Sequence, residues 1–294
     1  MGNAFTTRRT HARRPPICIS QMYKGEHQPG DPAWEWVLRS TLPNIPEPPF
    51  HPITTRNLIY HVYPFQKNNE WIRNLEQLRR RLPLFNGERV IAIATGPGLE
   101  NPNTVEKVLG KNVEYLICPN DPRLREVQTF LPLLQSIRSV NDHDATFYAH
   151  TKGCSDHHHR ASGTQLAIRY WRNRMYAELL DSWTVIAGWL ETYATVGCFK
   201  INLTLQPSTF MCSPTGLTSG HWHFAGTFFW IRHDRIFRDP HWSEIADDPF
   251  AAEMWLGNLL HFCEAKSVYQ PWPEHQHPHP CLYDPNAHEN PIEA

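Results

Sequence analysis

Apolar residues in the middle of this chain recur with two periods, and stretches of the two kinds alternate. Leu58 to Tyr63 is a short, largely apolar run that predicts a strand. Asn69 to Leu82 then sets Trp71, Leu75, Leu78 and Leu82 three or four positions apart, the spacing of one helix face. Arg79, Arg80 and Arg81 fall late in that segment, where the helix dipole favours cations. Arg89 to Thr95 reads as a buried strand, Asn103 to Leu109 as a short helix, and Val113 to Cys118 as a third strand. Pro122 to Ile137 places Leu124, Val127, Phe130, Leu131 and Leu134 on one face of a further helix, which Pro132 would kink. Thr146 to Ala149 is a fourth strand. Strand–helix units repeated at this length predict an α/β fold, a mostly parallel sheet wrapped by helices.

Beyond the fourth strand the pattern changes. Gln165 to Tyr193 predicts one long or broken helix, Val196 to Lys200 and His223 to Ile231 predict strands, and Asp248 to Phe262 a final amphipathic helix. Both ends of the chain differ from this body. Residues 1–56 are rich in Pro, Arg and His and read as an arm or linker, with one short helical turn around Trp34, Trp36, Val37 and Leu38. Residues 266–294 form a Pro/His-rich tail, expected to be extended. The α/β domain is therefore assigned to residues 57–265.

Composition narrows the function. The 294 residues suffice for one large domain with a substantial core. With 28 basic against 29 acidic residues, bulk charge argues for neither a nucleic acid nor an anionic membrane surface as partner. Seven cysteines with no CxxC pair fit reduced thiols in a cytoplasmic protein better than a disulfide framework. No apolar run has the length of a membrane span, and the basic N-terminus is not followed by the apolar stretch of a signal peptide. Met1 to Thr6 has the spelling of a myristoylation site, but so short a pattern reads as chance.

The fourth strand runs into Tyr148-Ala149-His150-Thr151-Lys152-Gly153-Cys154-Ser155. An imidazole and an ammonium two residues apart at the carboxyl end of a strand suit a phosphate-bearing ligand, because open α/β sheets bind ligands there. Trp171-Arg172 with Met175 follows, then His223 to Trp230 (HFAGTFFW) and Ala252 to Gly257 (AEMWLG). Taken in order, HTKG–S, WR––M, HF–G–FFW and AE–W–G resemble a family of glycosyltransferases of polysaccharide biosynthesis, over roughly residues 57–262. The resemblance implies a GT-A layout, with a nucleotide-binding first half and a mixed acceptor half. It also implies sugar transfer from a nucleotide-sugar donor to a saccharide or lipid-linked acceptor.

Glycosyl transfer needs the diphosphate leaving group neutralised, the sugar held, and, for inversion, a carboxylate that takes the acceptor proton. Many GT-A enzymes neutralise the diphosphate with Mn²⁺ or Mg²⁺ on an Asp-x-Asp after the fourth strand. Asp142-His143-Asp144 has that spelling but precedes the strand, and reads as a polar turn. His150 and Lys152 stand where the metal site would be and are expected to replace it, so no cofactor is required, with Mn²⁺ or Mg²⁺ as the alternative. Glu253, beside the apolar face of the last helix, is the candidate base, since a partly desolvated carboxylate gains basicity; the alternative is a partner for Arg232 or Arg235. Asn120, Asp121, Gly153, Ser155 and Arg172 are candidate donor contacts, with Asp121 equally suited to cap the following helix. His223, Gly226, Thr227 and Trp230 are candidates for the sugar or acceptor wall, although Trp230 also suits a buried strand. Two rivals remain. One is a nucleotide-sugar or carbohydrate-binding protein without catalysis. The other is a His-rich metal-dependent hydrolase, against which stands the lack of an HExxH motif.

Overall fold

The computed structural model describes residues 50–154, 162–202 and 222–270. The Trp34–Leu38 turn and most of the N-terminal arm, Ser155 and the tail beyond 270 lie outside the described residues. The first half follows the predicted alternation: β1 Thr55–Val62, α1 Glu70–Arg81, β2 Arg89–Thr95, α2 Pro102–Leu109, β3 Glu114–Pro119, α3 Val127–Ser136 and β4 Asp144–His150. The second half contributes α4 Ser162–Tyr176, α5 Trp183–Leu190, β5 Thr195–Gly197, β6 Lys200–Asn202, β7 Trp222–Phe224, β8 Phe229–Arg232, α6 His233–Ile236, α7 Ala251–Leu259 and β9 Ala265–Ser267.

Seven strands form one sheet in the order β3-β2-β1-β4-β8-β5-β9. The first four are parallel; β8 runs antiparallel to both β4 and β5, and β9 pairs parallel to β5. This is the expected mixed, mostly parallel sheet flanked by helices, and its 3-2-1-4 start is the strand order of a Rossmann-like half. β6 and β7 form a separate antiparallel pair.

Alternation along each strand divides the core in two. Leu58, Tyr60 and Val62 of β1 join Ile91, Phe147 and Trp230 on the face covered by α1, α2, α4 and α5, where Trp71, Leu75 and Leu78 of α1 are fully or nearly fully buried. Ile59 of the same strand joins Val90, Tyr148 and Ile231 on the other face, under Phe130 of α3 and Trp255 of α7. Each such buried side chain contributes about 1.5–3 kcal/mol, so both faces of the sheet are needed for stability.

Four predicted elements are interrupted, each by a local backbone event. The helix expected from Pro122 starts only at Val127, because Arg125 is left-handed (φ 54°) and the Asp121 carboxylate accepts from the Arg123 N–H at 2.8 Å, a turn that competes with the helix. Pro132 is nonetheless carried inside α3. The long helix after Gln165 is broken by a π-helical turn, Ala177–Asp181, and by Ser182 (φ −115°, ψ 53°). Phe199, with φ 56°, splits the expected Val196–Lys200 strand into β5 and β6. Gly226 (φ 95°) and Thr227 (φ 61°) likewise split His223–Ile231 into β7 and β8, which belong to different sheets.

Candidate functional site

The carboxyl ends of the parallel strands meet a cleft of about 380 Å³, a size ordinary for a small-molecule site. Its floor is set by strand register. His61 of β1 lies directly across from His150 of β4, so two imidazoles stand side by side at the sheet's end. The turn after β4 is fastened to β1: the Thr151 N–H donates to the His61 carbonyl at 3.0 Å, and Thr151 Oγ1 accepts from the Tyr63 N–H at 2.8 Å.

The same turn aims Lys152. Buried Asn74 of α1 accepts from the Lys152 N–H and donates to its carbonyl, both at 3.1 Å, so the helix grips the backbone of this residue from both sides. Gly153 completes the turn at φ 80°, where a Cβ would also stand 2.7 Å from Ile168 Cγ2. The Lys152 ammonium sits 4.3 Å from the ring centroid of Trp171, a cation–π contact. Burial pulls the Lys152 amine below its ordinary range, and the charges of Glu253 and Glu126 oppose that shift.

Glu126, immediately before α3, faces His150 with Oε1 3.3 Å from Nδ1. Burial alone would raise this carboxyl, but the His150 charge and hydrogen bond, with smaller help from a backbone N–H and His61, outweigh it and hold it at about 2. The negative end of this pair also lies at a helix N-terminus, which favours an anion. His61 has its Nδ1 2.7 Å from Thr129 Oγ1, and burial lowers it to about 4, keeping the ring neutral near pH 7. His150 Nε2, in contrast, is buried with no hydrogen-bond partner among the described residues, while the ring lines the cleft. An orphaned ring nitrogen at a cleft wall is a ready contact for a ligand.

Glu253 of α7 lines the same cleft, with Thr227. The Gly226 N–H donates to Glu253 Oε1 at 3.0 Å. The left-handed turn that splits β7 from β8 thus also orients the carboxylate, and a Cβ on Gly226 would press on Met175 Sδ at 3.0 Å.

Of the residues singled out in the sequence, the structure brings His150, Lys152, Gly153, Asn120, Thr227 and Glu253 to one cleft, with Gly226 directly behind it. Others stand elsewhere. Arg172 is buried against α1, its Nη1 3.0 Å from Glu70 Oε2, so its fork holds a carboxylate of the protein and not a phosphate. Burial would raise Glu70, but Arg169 and then Arg172 outweigh it and keep the carboxyl below its ordinary range. Trp230 is a core residue: fully buried, stacked on Phe85 and tilted against Trp183, with Nε1 donating to the Leu179 carbonyl at 2.9 Å. His223 is buried on β7 with Nδ1 3.3 Å from Met254 Sδ. Asp121 takes the turn-capping role described above and pairs with Arg123 at 2.9 Å.

Glu126, His61 and Arg125 also line the cleft and were not singled out. His61, as the polar residue near the carboxyl end of an apolar strand, and Glu126, as the carboxylate opening the apolar run of α3, were the available signals. Asp142-His143-Asp144 lies at the amino end of β4, away from this cleft, with the Asp144 carboxylate accepting from Ser139 and Asn141.

No family model matches this chain, and no curated protein matches it. Two solved structures are similar. One is a candidate nucleotide-diphospho-sugar transferase from Desulfovibrio desulfuricans G20, 11% identical, with 74% of this chain and 81% of that chain covered at a TM-score of 0.35. The other is a 4-diphosphocytidyl-2C-methyl-D-erythritol synthase, 13% identical, with 68% and 85% covered at a TM-score of 0.36. Scores of that size carry no weight for chemistry, and the fold rests on the strand order itself.

Proposed function

We propose that this protein is a glycosyltransferase that moves a sugar from a nucleotide-sugar donor to a saccharide or lipid-linked acceptor, using the cleft at the carboxyl ends of β1 and β4. The observation that carries the reading is the convergence of His150, Lys152 and Glu253 on that cleft from β4, its turn and α7. In this reading Lys152 and Arg125, which line the same cleft, supply positive charge to the diphosphate as it leaves. His150, its Nδ1 facing Glu126, presents the unoccupied Nε2 to a diphosphate oxygen. Glu253, with one oxygen held by Gly226, takes the proton of the acceptor hydroxyl as the new glycosidic bond forms. Asn120, at the end of β3, reaches the nucleoside end. The charge that a divalent ion would supply comes from the side chains, so transfer proceeds without metal.

Lys152→Ala tests this directly. Turnover with the best donor from a panel of UDP-, GDP-, dTDP- and CMP-sugars is expected to fall by about 100-fold or more while the fold persists. Full activity in that variant, or activity that needs Mn²⁺ in the natural chain, overturns the mechanism. Donor-induced thermal stabilisation with no product from any acceptor would instead identify a binding protein.

A further inference from the structure

At the opposite end of the sheet, where the chain enters β1 and β4, three potential ligands meet. His51 Nε2 lies 3.5 Å from Asp142 Oδ2, and His143 Nε2 lies 3.5 Å from Asp142 Oδ1. One ligand atom from each of the three residues falls within 4.8 Å of the others. These separations are too long for hydrogen bonds. The two contacts run to different oxygens of one carboxylate, each near the roughly 3.4 Å that separates two ligands held about 2.1 Å from one zinc ion. A small closing movement of these partly exposed side chains would bring all three onto an ion.

One of the two rings is also held from behind. His143 Nδ1 is 3.0 Å from the Pro52 carbonyl, which can only accept, so Nδ1 donates there and Nε2 is the ring atom turned to Asp142. That is the arrangement by which metal-binding histidines are oriented from behind. The backbone beneath is pinned. Arg232, fully buried, donates to the carbonyls of both His51 (2.8 Å) and Asp142 (2.5 Å), and the His143 carbonyl accepts from the N–H groups of Thr54 and Thr55. The side chains themselves remain partly exposed, so an ion can reach them. The neighbouring guanidinium of Arg235 is committed to Glu264, which limits its opposition to a cation.

We propose that His51, Asp142 and His143 form a site for a divalent transition metal of the zinc type, separate from the cleft and independent of the reaction assigned to it. Two imidazoles and one carboxylate favour such an ion over calcium or magnesium. The bound ion would join the segment before β1 to the turn before β4 and leave a coordination position open to solvent.

The test uses the full chain, stripped with chelator and titrated with Zn²⁺, then with Co²⁺ as a spectroscopic probe. Histidines of residues 157–159 and of the tail can also take zinc, so the reading is the difference between the natural chain and the variant H51A/H143A. The variant is expected to bind one fewer equivalent in the tightest class, to lose the tetrahedral Co²⁺ absorption, and to be stabilised less by zinc in thermal unfolding. Should that variant fail to fold, Asp142→Asn keeps the backbone carbonyl that Arg232 holds and is expected to weaken the site by at least about tenfold. Identical stoichiometry, affinity and zinc-induced shift in the natural chain and the folded variant would overturn the proposal.

Discussion

Glu126 shows how one side chain can organise several. It is buried at a cost, yet its carboxyl is held at about 2, a net preference for the ionised form of roughly 3 kcal/mol. That preference exists because His150 faces it and α3 begins beside it. Glu126→Gln keeps the shape and an acceptor but removes the charge. In the proposed mechanism it is a positioning residue, so kcat is expected to fall by about tenfold or more. Donor-induced thermal stabilisation should persist, because Lys152 and Arg125 are untouched. An unchanged kcat in a steady-state assay would reduce Glu126 to a structural role. His61, beside this pair, was legible in the sequence as a polar residue in an apolar strand, but nothing in the sequence placed it opposite His150. That neighbourhood is a matter of register between β1 and β4.

At the scale of elements, the seat of α7 decides where Glu253 points. Gly257 of that helix packs on β7 so closely that a Cβ would lie 2.1 Å from the Trp222 carbonyl oxygen. Backbone cannot yield there as a flexible side chain would. Gly257→Ala is expected to destabilise the protein by about 3 kcal/mol or more, read as a lower urea midpoint, and to weaken activity by tilting Glu253 away from Gly226. A midpoint equal to that of the natural chain would show that β7 and α7 part easily. Helix α7 was evident from its periodicity, as were β1, α1, β2 and α2. The splits at Phe199 and Gly226 were not, since a left-handed residue leaves no trace in hydrophobic spacing. The same holds for the break between α4 and α5, where the apolar pattern runs on through the π-helical turn.

Across the whole molecule, buried histidines couple the fold to pH. His233, fully buried between Ser139 Oγ (2.8 Å) and Thr146 Oγ1 (2.6 Å), is lowered to about 4 chiefly by burial, as His61 is. Between about pH 6.5 and 4 the unfolded chain binds protons that these two rings refuse in the fold. Their contribution, roughly 3 kcal/mol each, is therefore complete above about pH 6.5 and lost as pH falls toward 4. Glu126 adds a further loss below its ordinary value of 4.5. Urea midpoints are expected to drop steeply between about pH 7 and pH 5, and less steeply in His233→Gln. A flat profile over that range would mean the two rings accept protons in the folded protein. No described helix is long and apolar enough to cross a membrane.

The sequence by itself determined the strand–helix alternation, a mostly parallel sheet wrapped by helices, and the positions of His150, Lys152 and Glu253 on their elements. It could do so because burial imposes periods of two and of 3.6 on the residues that carry it. Only the tertiary structure decided which polar residues share a space. Arg172 went to Glu70 and Trp230 into the core, whereas Glu126 and His61 came to the cleft. His51 met Asp142 and His143 across some ninety positions of chain. Contacts of that range depend on register, on left-handed turns and on the direction of a helix axis, and a buried charge takes whichever partner those bring within reach.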